Sequence, residues 1–153
     1  MNIKEMLTNY ESETIKIKDA DTLVSDLKNW FKNIETIKQE FVLLYTLNTK
    51  NQIISRNILF IGTLNESLIH PREIFKRAIM DSSNAFILIH NHPSGDYEPS
   101  KEDNFFTETI EKASKFMKIQ ILDHIIISKN GYYSYKEEGK LNESRKNTNE
   151  TRK

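Results

Sequence analysis

The sequence predicts a fold that contains both helices and strands, an α/β (α+β) fold in which helices flank a mixed β-sheet. Three observations lead to this fold class. Short apolar runs rich in strand-forming residues alternate with segments whose apolar residues recur at helical spacing. Two pairs of neighbouring strand segments are joined by short turns, which predicts hairpins. The 153 residues are enough for one domain with a substantial core, but too few for two ordinary domains.

The first predicted elements are a helix and a hairpin. Residues 1–18 are polar and weakly patterned, and we assign them to an N-terminal arm. The stretch DTLVSDLKNWFKNI, residues 21–34, has apolar residues at helical spacing and predicts one amphipathic helix. The runs EFVLLYTL (40–47) and QIISRNILFIG (52–62) predict two strands joined by the turn NTKN.

A helix and a buried strand are predicted next. The stretch HPREIFKRAIMDSS, residues 70–83, predicts a helix that begins at Pro71, because proline is favoured at the first helical position. Its apolar face would comprise Ile74, Phe75, Ala78 and Ile79. The continuous apolar run AFILIH, residues 85–90, is typical of a buried central strand.

The last predicted elements complete the domain. SKEDNFFTETIEKASKFM (100–117) predicts a long helix, and IQILDHIIIS (119–128) and YYSY (132–135) predict two strands. Residues 136–153 contain almost no apolar residues and predict a disordered polar tail. We therefore expect the folded domain to span residues 19–135.

Composition limits the classes of function. The 22 basic and 22 acidic residues give a net charge of zero, so charge does not support nucleic-acid binding. The chain has no cysteine, which excludes disulfides and thiolate metal sites. Because no apolar run resembles a signal peptide or a membrane span, we expect a cytoplasmic protein that does not enter the membrane.

The stretch HNHPSGDYEPSKED, residues 90–103, has the residue types of a metal site. His90 and His92 are two residues apart at a strand end, so their side chains are expected on the same face. Asp103 lies in the first turn of the next helix, from where it can turn back toward them. Two histidines and one carboxylate are a common catalytic zinc set, with the fourth position left for water. Water bound to such a zinc ion can have a pKa near ~7.

Each of these residues also has an ordinary structural explanation. Ser100 and Asp103 fit the pattern of a helix capping box, and a lone pair of histidines at this spacing is a weak signal. The joint spacing of the three polar groups, after a buried strand and ahead of a capped helix, favours a metal site.

The spacing His90-x-His92-x7-Ser100-x2-Asp103 resembles the signature of the JAB/MPN+ (JAMM) metalloproteases. The longer stretch LIHNHPSGDYEPSKED is similar to the RadC branch of that superfamily. FVLLYTLNTKNQII, GTLNESLIHPREIFKRAI and ILDHIIIS also resemble RadC segments, in the same order. The resemblance covers residues 19–135. RadC proteins usually carry an N-terminal helix-hairpin-helix domain, for which the residues before Glu40 are too few, so we expect a short stand-alone form.

The resemblance implies a JAMM, deaminase-like fold: a curved mixed sheet with helices on both sides and zinc at the end of the central strand. It implies His90, His92 and Asp103 as ligands of Zn²⁺, and Ser100 near the water or the oxyanion. It implies Glu40, at the start of the first core strand, as general base. The expected function is a zinc-dependent metallopeptidase or isopeptidase, with a peptide or isopeptide as substrate.

Other polar residues remain alternatives or are interpreted as structural. Glu73 is an alternative general base, although a carboxylate near a helix start is also favoured by the helix dipole. Arg72 could bind an anionic substrate group or be exposed. Structural or solvent-exposed roles are expected for His70 and His124, and also for Asp96 and Glu98, although these two loop carboxylates could tune the metal or contact substrate.

Two further functional hypotheses stay open at this point. One is a DNA repair or recombination role, which the RadC name brings with it and which requires a basic surface despite the zero net charge. The other is a metal-stabilised interaction module without turnover.

Overall fold

The predicted mixed sheet is present, and helices cover both of its faces. The computed structural model describes residues 14–62 and 69–141. They form five strands and three α-helices, which in chain order are α1 (Ala20–Trp30), β1 (Glu40–Leu47), β2 (Ile53–Gly62), α2 (Pro71–Met80), β3 (Ala85–Asn91), α3 (Lys101–Met117), β4 (Gln120–Ser128) and β5 (Gly131–Ser134). The predicted fold class is confirmed.

The sheet is mixed because its central strand pairs in both directions. The strand order is β2-β1-β3-β4-β5. β3 runs antiparallel to β1 and parallel to β4, while β1–β2 and β4–β5 are the two predicted hairpins. All seven residues of β3 are buried, as the apolar run AFILIH predicts for a central strand.

Alternate residues of the strands face two separate apolar layers, as the period of two requires. One layer contains α1, with Leu23 and Leu27 packed against Leu43 and Tyr45 of β1. The other contains α2 and α3, and its sheet residues include Val42, Leu44, Phe86 and Leu88. His90 continues the series of Phe86 and Leu88, so the end of β3 presents it on the side of α2 and α3.

α1 is shorter than the sequence predicts. It ends at Trp30 instead of continuing to Ile34, because Phe31 is extended (φ −110°, ψ 100°) and Asn33 is left-handed (φ 59°). Asparagine is among the few residues that tolerate this conformation. A 3₁₀ turn over Ile34–Thr36 follows, so Phe31 and Ile34 are still buried in the apolar layer of α1.

α2 occupies the predicted position, with Pro71 as its first residue. Ile74, Phe75 and Ala78 are buried as predicted. The prediction for Ile79 was wrong, because its side chain is 53% exposed at the C-terminal end of the helix.

Both ends of the described chain extend beyond residues 19–135. Lys16 forms a β-bridge with Gln52, and Ile17 is buried. The chain after Tyr135 makes a turn in which the Lys136 N–H donates to Asp123, and Leu141 is buried. The described structure thus includes Leu141, which is an apolar anchor within the otherwise polar stretch. The remainder of the arm and of the tail, 1–13 and 142–153, lies outside the described residues.

Candidate metal centre

Two histidines from the end of β3 and one carboxylate from the first turn of α3 meet at one point. His90 Nε2 lies 3.2 Å from His92 Nε2 and 3.2 Å from Asp103 Oδ1. His92 Nε2 lies 3.1 Å from Asp103 Oδ2. His90 and Asp103 are buried, and His92 is partly exposed. One donor atom from each residue therefore converges on a small volume, within 4.8 Å of the other two.

These separations fit the requirements of a zinc ion. Zinc binds histidine nitrogen at about 2.0–2.1 Å in a tetrahedron, which places its ligand atoms roughly 3.3 Å apart. The observed separations of 3.1–3.2 Å are close to that value. Nitrogen, nitrogen and carboxylate oxygen are also donor types that zinc accepts. The residues present thus fit the metal that the sequence predicts.

Asp103 takes part in the capping box and in the metal centre at the same time. The Ser100 N–H donates to Asp103 Oδ2 (2.9 Å), and the Asp103 N–H donates to Ser100 Oγ (3.1 Å). Its two carboxylate oxygens also face the imidazoles of His90 and His92. The two interpretations of this motif are therefore compatible, because the cap fixes the carboxylate that completes the centre.

The loop after β3 fixes the orientation of His92. His92 Nδ1 lies 2.8 Å from the Asp96 carbonyl oxygen, which can only accept. In the neutral ring, Nδ1 therefore carries the proton and Nε2 keeps its lone pair toward the centre. The loop is tied to the β4–β5 turn through the Gly95 carbonyl, which accepts from Ser128 and Asn130. Gly95 has φ 93°, a backbone conformation that residues with a side chain rarely adopt, so glycine is favoured at this position.

Electrostatics at the centre favours a cation. Burial alone would raise the pKa of Asp103, but hydrogen bonds from His90 and His92 outweigh it and hold that pKa well below its usual range. The hydrogen bond to Asp103 in turn raises the pKa of His92. The negative charge of Asp103 that favours a protonated, positively charged His92 would also attract a positively charged metal ion.

His90, His92 and Asp103 line a cavity of about 890 Å³. Glu40, the half-buried first residue of β1, lines this cavity together with the exposed Ser100. Burial raises the pKa of Glu40, although nearby His90 and His92 oppose the change. Apolar side chains also line the cavity, and we refer to Val42, Phe60, Ile69, Phe105 and Phe106 as its apolar wall. The lining of the cavity thus includes both the titratable groups of the centre and apolar side chains.

Comparison with protein families identifies the domain. The family model of the RadC-like JAB domain matches residues 18–140, which is most of the chain. The chain belongs to the RadC-like JAB domain family. The resemblance in the His90–Asp103 motif and its flanking segments is thereby confirmed.

Curated relatives of this RadC-like domain carry the name UPF0758 protein. One from Pelodictyon phaeoclathratiforme is 55% identical over 107 residues, which cover 70% of this chain and 47% of the relative. One from Methanosarcina mazei is 51% identical over 122 residues, covering 80% of this chain and 51% of the relative. One from Thermotoga maritima is 44% identical over 105 residues, covering 69% of this chain and 47% of the relative. The chain spans about half the length of the curated relatives it matches.

The two candidate bases, Glu40 and Glu73, lie in different surroundings in this RadC-like domain. Glu40 lies beside the centre, whereas Glu73 is exposed in the first turn of α2 and does not line the cavity. His70 lines the cavity at the start of α2, without a side-chain hydrogen bond to the helix end. Arg72 and Glu98 are exposed, and the Asp96 side chain accepts from the Glu98 N–H within the loop.

Three residues at the centre were not singled out as functional from the sequence. Asn91 holds the backbone on both sides of Glu40, since its amide accepts from the Phe41 N–H and donates to the Gln39 carbonyl, each at 2.8 Å. His124 was interpreted as a satisfied core residue, and it is one, but its partner is His90. Thr107 contacts His124 from α3. At these positions, the only signal in the sequence was a polar residue among apolar neighbours.

Among the described residues, no helix combines the length and the apolar character that crossing a membrane requires.

Proposed function

We propose that this RadC-like domain is a zinc-dependent hydrolase of the JAMM type that cleaves amide bonds in a peptide or isopeptide. The observation that carries the proposal is the convergence of His90 Nε2, His92 Nε2 and the Asp103 carboxylate at separations that suit one zinc ion. His90, His92 and Asp103 would hold the metal. When bound, zinc supplies a Lewis acid that lowers the pKa of water and polarises a carbonyl group.

Glu40 is the proposed general base. It lines the cavity as the first residue of β1. Its pKa is raised toward the operating pH, which suits a general base. Glu40 would take a proton from the attacking water as the new C–O bond forms. It would then return that proton to the leaving amine as the C–N bond breaks, which restores the carboxylate.

Ser100 is proposed to stabilise the developing oxyanion. Its hydroxyl oxygen accepts from the Asp103 N–H, which leaves the hydroxyl proton available to a substrate in the cavity. A hydrogen-bond donor fixed in this way needs no reorganisation when negative charge develops on the substrate carbonyl oxygen.

The apolar wall of the cavity indicates what kind of substrate fits. Phe60, Ile69 and Phe105 lie in the same cavity as Glu40 and the candidate ligands. A substrate bound there would place an apolar side chain against this wall, next to the amide to be cleaved, because burying apolar surface is favourable. We therefore propose peptides or isopeptides with a large apolar residue beside the scissile bond.

The test is hydrolysis of a peptide and isopeptide library by the zinc-loaded protein, Glu40→Gln and Glu73→Gln. The proposal predicts chelator-sensitive cleavage by the wild type and by Glu73→Gln, and a loss of about 10²–10⁴-fold for Glu40→Gln, the usual contribution of a general base. All three proteins should bind zinc equally. Full activity of Glu40→Gln would exclude Glu40 as the base. A zinc-loaded wild type that cleaves nothing in the library would favour an interaction module instead.

A further inference from the structure

We infer that His124 and Thr107 are positioning residues that fix the ring and the proton of His90, so that its Nε2 is presented to a metal ion. The inference rests on the ligand set of the proposed function, but it concerns metal binding and does not require hydrolysis.

A chain of hydrogen bonds leads away from His90 into the core. His124 lies on β4, the parallel neighbour of β3, and is 1% exposed. Its Nε2 lies 2.7 Å from His90 Nδ1, and its Nδ1 lies 2.6 Å from Thr107 Oγ1. Thr107 Oγ1 also lies 2.8 Å from the Asp103 carbonyl oxygen. The chain therefore begins at one candidate ligand and ends on the backbone of another.

Packing holds the His124 ring in place along this chain. Tyr135 stacks on it with a centroid separation of 4.9 Å and an interplanar angle of 5°. Phe106 meets the same ring edge-on at 6.2 Å. Turning the ring out of its plane would give up both aromatic contacts, and flipping it by 180° would put carbon atoms where the two hydrogen-bonded nitrogens are. The two nitrogens of His124 therefore keep their partners.

The protons of this chain have two self-consistent directions. In one, Thr107 donates to His124 Nδ1, His124 Nε2–H donates to His90 Nδ1, and the proton of neutral His90 is on Nε2, where it blocks a metal ion. In the other, Thr107 donates to the Asp103 carbonyl, which can only accept, and receives the His124 Nδ1–H. His124 Nε2 then accepts from His90 Nδ1–H, and His90 Nε2 is a free lone pair. Metal binding requires the second direction.

His90 and His92 thus reach the same tautomer by different means. His92 donates its Nδ1–H to the backbone carbonyl of Asp96, which no substitution removes. His90 depends on the side chain of His124. Partners of this kind orient metal-bound histidines, and removing one typically weakens metal affinity by about 10–100-fold. The asymmetry makes the inference testable by substitution at position 124.

The experiment measures zinc affinity by competition with a chromogenic chelator. We expect His124→Leu to weaken zinc binding by about 10–100-fold. His124→Gln should recover part of the loss, because its amide oxygen can accept from His90. Thr107→Val, which removes only the hydroxyl, should show a smaller loss. Ser134→Ala is the matched control. The hydroxyl of Ser134, which is buried on β5, donates to Asp123 and not to His90, so zinc affinity should not change.

A spectroscopic measurement separates positioning from general destabilisation. In the zinc-loaded wild type, ¹⁵N NMR should show His90 protonated at Nδ1 and coordinated at Nε2. Wild-type affinity in both His124→Leu and Thr107→Val would overturn the inference, as would a His90 proton on Nε2. A wild type that binds no zinc would overturn it together with the proposed site. Zinc binding with these variant effects but no hydrolysis would uphold it while the proposed function fails.

Discussion

Ser100 and Asp103 hold each other in place at the start of α3. Each backbone N–H donates to the other's side chain, at 2.9 and 3.1 Å. The carboxylate that caps the helix is also the one that faces His90 and His92. A helix start thereby fixes the position of a charged group at the end of the central strand, where the proposed metal centre needs it.

Substitutions of Ser100 should separate its capping role from its proposed catalytic role. Replacing an N-cap serine by alanine costs about 0.5–2 kcal/mol of unfolding free energy, and by glycine only a few tenths. We therefore expect Ser100→Gly to keep nearly wild-type stability and zinc affinity while its hydrolytic rate falls about 10²-fold, as when one oxyanion donor is lost. Ser100→Thr, which keeps the hydroxyl, is the control. Wild-type turnover by Ser100→Gly would refute the role.

Asn91 should affect turnover through Glu40. Its amide bonds to Gln39 and Phe41, so Asn91→Ala would free the backbone on both sides of Glu40. A displacement of about 1 Å at a catalytic group can cost about 10²-fold in rate. We expect kcat to fall by that order with zinc affinity retained, whereas Asn91→Asp, which keeps the acceptor for the Phe41 N–H, should fall less. Steady-state kinetics beside a zinc titration would measure both, and an unchanged kcat would contradict the prediction.

Phe105 should contribute to substrate affinity. It lines the cavity with 72% of its surface exposed, so Phe105→Ser should leave the fold almost unaffected. Loss of about 1.4 kcal/mol of apolar contact corresponds to about tenfold, and KM should rise by that factor for substrates with a large apolar residue. Phe116→Ser, on the same helix and 87% exposed but not lining the cavity, is the control. An equal effect of both variants would argue against the apolar wall as substrate site.

Asp123 should make the stability of the domain depend on pH. Burial raises its pKa to about 6, from an ordinary value of 3.8. The folded state then holds this proton where the unfolded chain releases it, so the contribution of Asp123 to stability is largest below pH 3.8 and is lost as pH rises to about 6.

The pKa difference of Asp123 corresponds to a loss of about 3 kcal/mol in the free energy of unfolding. Asp123→Asn keeps acceptor and donor capacity without the charge. The stability of Asp123→Asn relative to the wild type should therefore increase from pH 4 to pH 7, as measured by urea denaturation at each pH. A constant difference across that range would show that the carboxyl group of Asp123 does not titrate there.

Local signals predicted most of the fold. The apolar run of β3, Pro71 at the start of α2 and the capping box of Ser100 each depend on neighbouring residues, and each was found where expected. The early end of α1 was missed because the apolar spacing continues through Phe31 and Ile34, although the backbone at Asn33 is left-handed.

The surroundings of the candidate centre could not be predicted in the same way. His124 reaches His90 only because β4 lies parallel to β3 in one particular register, in which Leu88 is opposite His124. Asn91 reaches across to β1, about 50 residues earlier in the chain. Neither contact leaves a periodic pattern in the sequence, since both depend on which strands become neighbours.

Zinc content shows most directly whether His90, His92 and Asp103 form a metal centre. Elemental analysis would be made on the wild type, His92→Ala, Asp103→Asn and, as control, Glu102→Gln, an exposed neighbour that lines the same cavity. We expect about one zinc per chain in the wild type and Glu102→Gln, and little in the other two. A wild type without zinc after zinc is added, or full zinc in His92→Ala and Asp103→Asn, would contradict it.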